Sequence, residues 1–225
     1  MATICLDFDD TLCAHDGSPL PGAAAALNAL RAEGHRLLVS SARFSPIYGE
    51  LNRFRVQKVR DWLRVQGIEV DAITLVVPQA DLYVDDLAYR FGTTWEDELE
   101  PILDRLSPLW RKAQRKLDRS LSVALDCVWA GEVAEGAEAA LARLETLGVQ
   151  VALSAGPQLA PEGHEARPNR PLREQLRAAG LTFARVDAEK IASHLYVSPR
   201  ALRFAGDWSQ TLAEVRERLT QQRDG

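Results

Sequence analysis

Short apolar runs alternate with amphipathic stretches along the whole chain. The runs TICLDF, RLLVSS and DLYVDD in the first half, and SVALDC, VQVALS and HLYVSP in the second, have the length and composition of buried strands. Between them, segments such as GAAAALNALRAEG and GAEAALARLETLG carry alanine and leucine at helical spacing and end in glycine. Because strands that alternate with helices favour a parallel sheet with helices packed on it, we expect an α/β protein with Rossmann-like layers.

The same order of segments occurs twice. VRDWLRVQGIEV in the first half matches LREQLRAAGLTF in the second, and ADLYVDDLAYRF matches SHLYVSPRALRF. Trp95 and Trp208 occupy matching positions before the last helix of each repeat. A register kept over this length indicates a tandem duplication. We predict two three-layer units with parallel sheets, each repeat forming its own, over residues 1–110 and 119–225, joined by a basic segment at 111–118.

Composition narrows the classes of function. The net charge of −5 does not favour nucleic acid as a partner. No apolar run is long enough to span a membrane, and MATICLDFDD has acids where a signal peptide would need an apolar stretch. The three cysteines have no paired spacing, so we expect a reduced, cytoplasmic protein without membrane partners. The basic segment is either a solvated connecting helix or a site for a polyanionic substrate.

Acidic, hydroxyl and arginine side chains follow the strands of the first repeat, at the edge where parallel sheets bind ligands. Two acids this close need a cation or a proton between them. A hydroxyl or an arginine can hold a phosphoryl oxygen, and magnesium prefers carboxylates together with water and phosphate. The residues of this pattern are Asp7, Asp9, Thr11, Ser40, Ser41, Arg43, Asp85 and Asp86.

The first repeat resembles the haloacid dehalogenase superfamily, whose members are mostly phosphatases. The first motif of that family, DxDx(T/V), matches Asp7, Asp9 and Thr11. The resemblance covers residues 2–106 and, more faintly, the second repeat. The family's second motif is a strand that ends in Ser or Thr, and its fourth is an acidic pair after a strand; they match Ser41, with Ser40 as the alternative, and Asp85-Asp86.

The resemblance implies a two-step mechanism. Asp7 would attack phosphorus and form an aspartyl-phosphate, which water then hydrolyses. Asp9 would protonate the leaving group and then activate the water. Mg²⁺ would be bound by Asp7, by the backbone carbonyl of Asp9, and by Asp85 or Asp86. The remaining candidates for contact with the substrate are Thr11, Ser40 and Arg43.

The resemblance also implies that the catalytic core lacks a cap domain. The loop from Cys13 to Pro21 is too short for one, and the segment between Arg43 and Val77 has room for little more than one helix. Capless relatives act on large substrates or take a cap from a partner. The expected partner is therefore a phosphorylated substrate, either macromolecular or covered by the second repeat, and the sequence leaves the oligomeric state open.

One element of the family pattern is missing from the first repeat. Relatives often place a lysine shortly before the acidic pair, where this chain has Val77-Pro78. An aspartate that attacks a phosphate dianion needs this positive charge to offset repulsion. We predict that Lys58, at the start of a helix, supplies it within ion-pair range of Asp7 or Asp85. The alternatives are Arg43 and, third, Lys190 of the second repeat.

The second repeat lacks most of the acids. Asp126 stands where Asp7 stands, but Val128 replaces Asp9. One carboxylate cannot both hold magnesium and perform acid–base work, so we predict a catalytically inactive pseudo-domain. The other replacements are Ala155 for the serine and Ser198-Pro199 for the acidic pair, with Lys190 in the lysine slot as a remnant that pairs with a buried Asp126.

The leading prediction is a magnesium-dependent phosphomonoester hydrolase. A protein of binding or regulatory function, which keeps the fold and the metal but has weak or no turnover, is the alternative. A capless phosphatase of nucleic-acid ends is a further alternative, for which the basic segment is the support.

Overall fold

The computed structural model describes residues 1–44, 52–92, 94–112, 120–155 and 170–224. The predicted linker residues 113–118 lie outside these ranges. The first half contains β1 (Thr3–Leu6), α1 (Ala23–Ala32), β2 (Arg36–Ser40), α2 (Asn52–Val65), β3 (Ala72–Thr74), β4 (Leu82–Asp85), β5 (Ala88–Arg90) and α3 (Trp95–Lys112). The second half contains β6 (Ser120–Ala124), α4 (Ala137–Thr146), β7 (Gln150–Ser154), α5 (Arg170–Ala178), β8 (Arg185–Asp187), β9 (Tyr196–Ser198), β10 (Ala201–Arg203) and α6 (Trp208–Asp224).

The strands form two five-stranded sheets. Their orders are β10-β4-β1-β2-β3 and β5-β9-β6-β7-β8. Strand β1 runs parallel to both β2 and β4, and β6 runs parallel to both β7 and β9. The predicted α/β class with parallel sheets is therefore confirmed.

Each sheet contains one strand from the other repeat. Strand β10 of the second repeat pairs in parallel with β4 in the first sheet, with Leu202 opposite Val84. Strand β5 of the first repeat lies beside β9 in the second sheet, and the Phe91 amide donates to the Ser198 carbonyl at 3.0 Å. The last strand of each repeat is thus exchanged.

The compact units follow this exchange. The first unit consists of residues 1–88 and 200–225, and the second of residues 89–199. These bounds differ from the predicted domains 1–110 and 119–225, and from the expectation that each repeat forms its own sheet. Helix α6 accordingly packs on α1 in the first unit, and α3 packs on α4 in the second.

The exchange has a physical reason in the length of the turns. Two residues, Asp86 and Leu87, separate β4 from β5, and two residues, Pro199 and Arg200, separate β9 from β10. Parallel neighbours in one sheet need a connection of about a dozen residues or more. A two-residue turn therefore cannot return β5 to lie parallel beside β4, whereas the matching strand of the other repeat can take that place.

A tryptophan from the exchanged segment packs on the start of a helix in each unit. Gly22 precedes α1 with φ 77°, and an added Cβ there would lie 3.4 Å from the Trp208 Cβ. Gly136 precedes α4 with φ 74°, and its added Cβ would lie 3.2 Å from the Trp95 Cβ. Glycine is required at both positions, because the backbone is left-handed and the tryptophan lies so close.

The core of the first unit joins residues from both repeats. Buried side chains of β1, β2 and β4 pack with those of α1, α2, β10 and α6 in one cluster. Trp208 and Val215 of α6 are fully buried there. Burial of these apolar side chains makes the second repeat an integral part of the unit that carries Asp7.

Candidate active site in the first unit

Two buried carboxylates lie at the ends of neighbouring strands. Asp7 follows β1 and Asp85 ends β4; their exposed fractions are 7% and 6%. Leu6 is paired with Val84, so Asp7 and Asp85 occupy the next step of the same parallel register. Adjacent strands are about 4.8 Å apart, and two carboxylates buried side by side favour a bound cation or a proton.

Asp9 is held by the end of the second strand. The Ser41 hydroxyl donates to Asp9 Oδ2 at 3.0 Å, and Arg43 Nε donates to Asp9 Oδ1 at 2.6 Å. A second guanidinium nitrogen of Arg43 also contacts Asp9 Oδ1. Burial lowers the pKa of Arg43, but the hydrogen bond and charge of Asp9 outweigh it, so the pKa lies above its ordinary value. The negative charge of Asp7 acts on Arg43 in the same direction.

Thr11 ties the first loop to the acidic pair. Its side chain is fully buried, and its hydroxyl oxygen accepts a hydrogen bond from the Asp86 amide at 3.1 Å. Asp85 Oδ1 accepts one from the Leu87 amide at 2.7 Å. The backbone after β4 is therefore fixed on both sides of the acidic pair. In this arrangement Thr11 acts as a support of the loop rather than as an exposed contact for substrate.

The exchanged segment of the second repeat holds the same backbone. The Phe204 amide donates to the Asp85 carbonyl at 3.0 Å, and Arg203 Nε donates to the Asp86 carbonyl at 3.3 Å. Trp208 Nε1 donates to the Thr11 carbonyl at 2.7 Å. Sequence reasoning missed these residues, because it confined each repeat to its own sheet. The short turn between β4 and β5 was the signal that could have revealed them.

Ser40 and Ser41 have different surroundings. Ser41 Oγ contacts Asp9 and also accepts a hydrogen bond from the Arg43 amide at 3.1 Å. Ser40 Oγ is buried and has no hydrogen-bond partner among the described residues. A buried hydroxyl without a partner costs about 1–3 kcal/mol. Ser40 can therefore accept or donate a further bond, whereas Ser41 already orients Asp9.

The acidic side chains of the site are suitable ligands for magnesium, but few of them are placed to share one ion. Asp7 and Asp85 offer the oxygen donors that magnesium prefers. Across the described ranges, however, no group of three or more His, Cys, Asp or Glu side chains is arranged to hold a metal ion. The physical reason is visible at Asp9, whose carboxylate is directed to Ser41 and Arg43. A metal ligand set would therefore rest on the two buried carboxylates and on backbone oxygen.

Lys58 lies in the interior of helix α2 rather than in its first turn, because the helix begins at Asn52. Its ammonium is 4.6 Å from the centroid of the Phe54 ring. The side chain also lines a cavity of about 980 Å³ together with Asp9 and Arg43. Arg43, the alternative source of the positive charge, contacts the carboxylate of Asp9. The proximity of Lys58 to Asp7 or Asp85 stays a prediction.

One face of α2 lines this cavity. Phe54, Lys58 and Trp62 are spaced by four residues, so they share a face of the helix. Phe8 packs edge-on against Trp62, with ring centroids 5.1 Å apart, and the Arg43 guanidinium lies 5.3 Å from the Phe8 centroid. Sequence reasoning missed the aromatic residues, although their four-residue spacing around Lys58 was a readable signal.

The second unit has different side chains at the matching strand ends. Asp126 lies in a short 3-10 helix after β6 and its side chain is exposed, so the expected buried carboxylate is absent at this position. Val128 and Ala155 are buried apolar residues, and Ser198 is buried at the end of β9. The Lys190 ammonium lies 4.6 Å from the centroid of the Tyr196 ring.

Two further sequence expectations concern membrane-spanning helices and the cysteines. Within the described part of the chain, no helix has the length and apolar character needed to cross a membrane. Cys5, Cys13 and Cys127 are buried, and none of the three forms a disulfide among the described residues.

Comparison with known proteins identifies no family. No protein-family model matches the chain, and no curated protein matches it. One solved structure, described as the conserved protein coded by locus from Bacteroides thetaiotaomicron, is 28% identical and covers 50% of this chain and 98% of its own. Its TM-score is 0.32, which is too low to support an argument about fold or function.

Proposed function

We propose that the first unit is a magnesium-dependent phosphomonoester hydrolase of the haloacid dehalogenase type. The observation that carries the proposal is the pair of buried carboxylates, Asp7 and Asp85, at the ends of neighbouring parallel strands. Burying two carboxylates is costly unless a cation offsets their charge, so such a pair is typical of a functional site.

Asp7 is the nucleophile in this proposal. One of its carboxylate oxygens attacks phosphorus, and the bond from phosphorus to the alcohol oxygen breaks as an aspartyl-phosphate forms. Water then attacks phosphorus, releases inorganic phosphate and regenerates Asp7. The net reaction consumes one phosphomonoester and one water, and yields one alcohol and one phosphate.

Asp9 is the acid and base, and Arg43 is the cation that controls it. Arg43 is paired with Asp9 before substrate binds. A phosphate dianion is a strong bidentate partner for a guanidinium, so it draws Arg43 from Asp9 to the phosphoryl oxygens. Asp9, then held by Ser41, takes up a proton from solvent, gives it to the leaving oxygen and later takes another from the attacking water.

Magnesium supplies a positive charge that offsets repulsion between the attacking carboxylate and the phosphoryl oxygens. Asp7 and Asp85 are the side chains that would hold it, with the Asp9 carbonyl as a further oxygen donor. The position of Asp85 is maintained by its bond to the Leu87 amide and by the bond from the Phe204 amide to its carbonyl.

The test is turnover of p-nitrophenyl phosphate by the full-length protein with and without magnesium. Asp7→Asn should abolish turnover, by a factor on the order of 10³ or more, because the nucleophile is removed. Asp10→Asn is the matched control, since Asp10 lies in the same loop but is exposed and has no role in the proposal. Equal turnover by wild type and Asp7→Asn would reject the proposal.

The binding or regulatory alternative predicts a different result. In that case wild type would show no turnover, while inorganic phosphate would still bind in a magnesium-dependent way by calorimetry. The same assay separates the two candidate cations: Arg43→Met should lower turnover more than Lys58→Met does. A greater loss in Lys58→Met would support the sequence prediction that Lys58 supplies the charge.

A further inference from the structure

We infer that the cavity beside Asp9 binds a planar aromatic ring carried by the alcohol part of the phosphomonoester. The inference rests on the proposed function, and it assigns that function a substrate class. The cavity is lined by residues of the first unit that include Asp9, Arg43, Phe8, Phe54, Lys58 and Trp62.

The cavity is too large for a phosphoryl group alone. Its volume is about 980 Å³, which lies at the upper end of the range for sites that take drug-sized ligands. Asp9 and Arg43 lie on its wall, so the reacting end of a substrate would be bound beside the remaining space. The cavity therefore has room for a substantial alcohol group.

The walls of that space are aromatic. The rings of Phe8 and Trp62 meet edge to face at an interplanar angle of 85°. Trp62 Nε1 donates to the Gly17 carbonyl at 2.8 Å, which fixes the indole in place. The Phe54 ring has an exposed fraction of 58%, an unusual value for a large aromatic side chain. Phe54 is one of the residues that line the cavity, where a planar ring can stack on it.

Cations lie beside the aromatic rings. The Lys58 ammonium is 4.6 Å from the Phe54 centroid, and the Arg43 guanidinium is 5.3 Å from the Phe8 centroid. Arg55 also lines the cavity and donates to the Arg43 carbonyl at 3.0 Å. Cations next to aromatic rings favour a planar ligand that carries carbonyl or phosphoryl oxygens. A purely aliphatic alcohol would leave the aromatic rings without a stacking partner.

Adenosine 5′-monophosphate and ribose 5-phosphate make a matched pair of probes. They share the reacting phosphate and the sugar, and differ in the planar ring. Wild type should hydrolyse the nucleotide with a kcat/KM roughly tenfold or more above that of ribose 5-phosphate, the scale of one stacked ring. Phe54→Ala should remove the difference by lowering kcat/KM for the nucleotide more than that for ribose 5-phosphate, and Phe54→Tyr should restore it.

Val65→Ala is the matched control, because Val65 is an exposed apolar residue of the same helix that does not line the cavity. It should leave both values of kcat/KM unchanged. Equal kcat/KM for the two probes in wild type, or a preference that survives in Phe54→Ala, would overturn the inference.

Calorimetry distinguishes failure of the inference from failure of the proposed function. One outcome is that neither probe is hydrolysed, while the nucleotide still binds more tightly than ribose 5-phosphate and Phe54→Ala makes the two affinities equal. That result would support the ring-binding site and reject the hydrolase proposal. Equal affinities of wild type for both probes would overturn the ring site whatever the turnover.

Discussion

At the scale of single residues, Arg43 interacts with two of the acidic side chains of the candidate site, Asp9 and Asp7. It contacts Asp9, its pKa responds to the charge of Asp7, and its guanidinium lies near the Phe8 ring. A planar, permanently charged group is suited to exchanging one oxygen partner for another. Under the proposed function, Arg43 takes the place of the lysine that the family pattern puts at Val77.

Cys13 provides a pH readout of Arg43. Burial raises the pKa of the Cys13 thiol, Arg43 opposes the rise, and nearby aspartates including Asp9 add to it. Arg43→Met removes a cation that favours the thiolate, so the pKa of Cys13 should rise further. The rate of iodoacetamide labelling of the Cys13 peptide, followed by mass spectrometry against pH, should shift to higher pH. An unchanged profile would contradict the placement of Arg43.

Asp85→Asn tests the metal assignment. Asparagine keeps the carbonyl oxygen that accepts from the Leu87 amide, so the turn should persist while the negative charge is lost. Magnesium affinity measured by calorimetry should then fall by about tenfold or more, the loss expected for a direct charged ligand. Asp86→Asn is the comparison variant, and a larger loss there would move the ligand role to Asp86.

At the scale of secondary-structure elements, helix α6 and strand β10 support the candidate site. They come from the second repeat, yet they hold the backbone of Thr11, Asp85 and Asp86 in the first unit. The predicted lack of catalysis in the second repeat concerns its own strand ends. Its exchanged segment is part of the candidate site, which gives a structural reason for keeping it.

Trp208→Phe isolates one of these contacts. It removes the hydrogen bond from Nε1 to the Thr11 carbonyl and leaves a buried acceptor without its partner, at a cost of about 1–3 kcal/mol in the free energy of unfolding. Because Thr11 supports the Asp86 amide, magnesium affinity should fall as well. Trp95→Phe is the matched control: it loses the bond to the Cys127 carbonyl in the second unit. It should cost similar stability in urea unfolding without changing magnesium affinity.

At the scale of the whole molecule, the exchange of segments determines which residues form each unit. A chain of two repeats folds into two units, and each unit needs residues from both repeats. A substitution in the last helix of one repeat is therefore expected to destabilise the unit built mainly from the other repeat.

Leu219→Ala and Leu106→Ala are a matched pair for this exchange. Both leucines are buried, in α6 and α3 respectively, and each truncation should cost about 2–5 kcal/mol in the free energy of unfolding. Leu219→Ala should increase amide hydrogen exchange in residues 1–44, and Leu106→Ala in residues 120–155. The reverse assignment of the two effects would show that each repeat folds on itself.

The sequence alone determined the class of fold and the chemistry of the strand ends. Its apolar runs and glycine-ended helices predicted the parallel α/β units, because the burial of each element follows from local periodicity. Its acids and serines predicted which side chains meet at one sheet edge, since parallel strands all end there. Asp7 and Asp85 are indeed neighbours in register.

Only the tertiary structure decided which repeat completes which sheet, and what surrounds the acids. Repeats with matching sequences offer equivalent partners for the last strand, and the periodicity of apolar residues does not choose between them. The two-residue turns after β4 and β9 exclude a parallel return to the same repeat, because such a return needs a longer connection. The pairing of Asp9 with Arg43 and the aromatic face of Phe54, Lys58 and Trp62 likewise depend on distances across the fold. Sequence spacing reports which residues share an element, whereas packing between elements determines which of them meet.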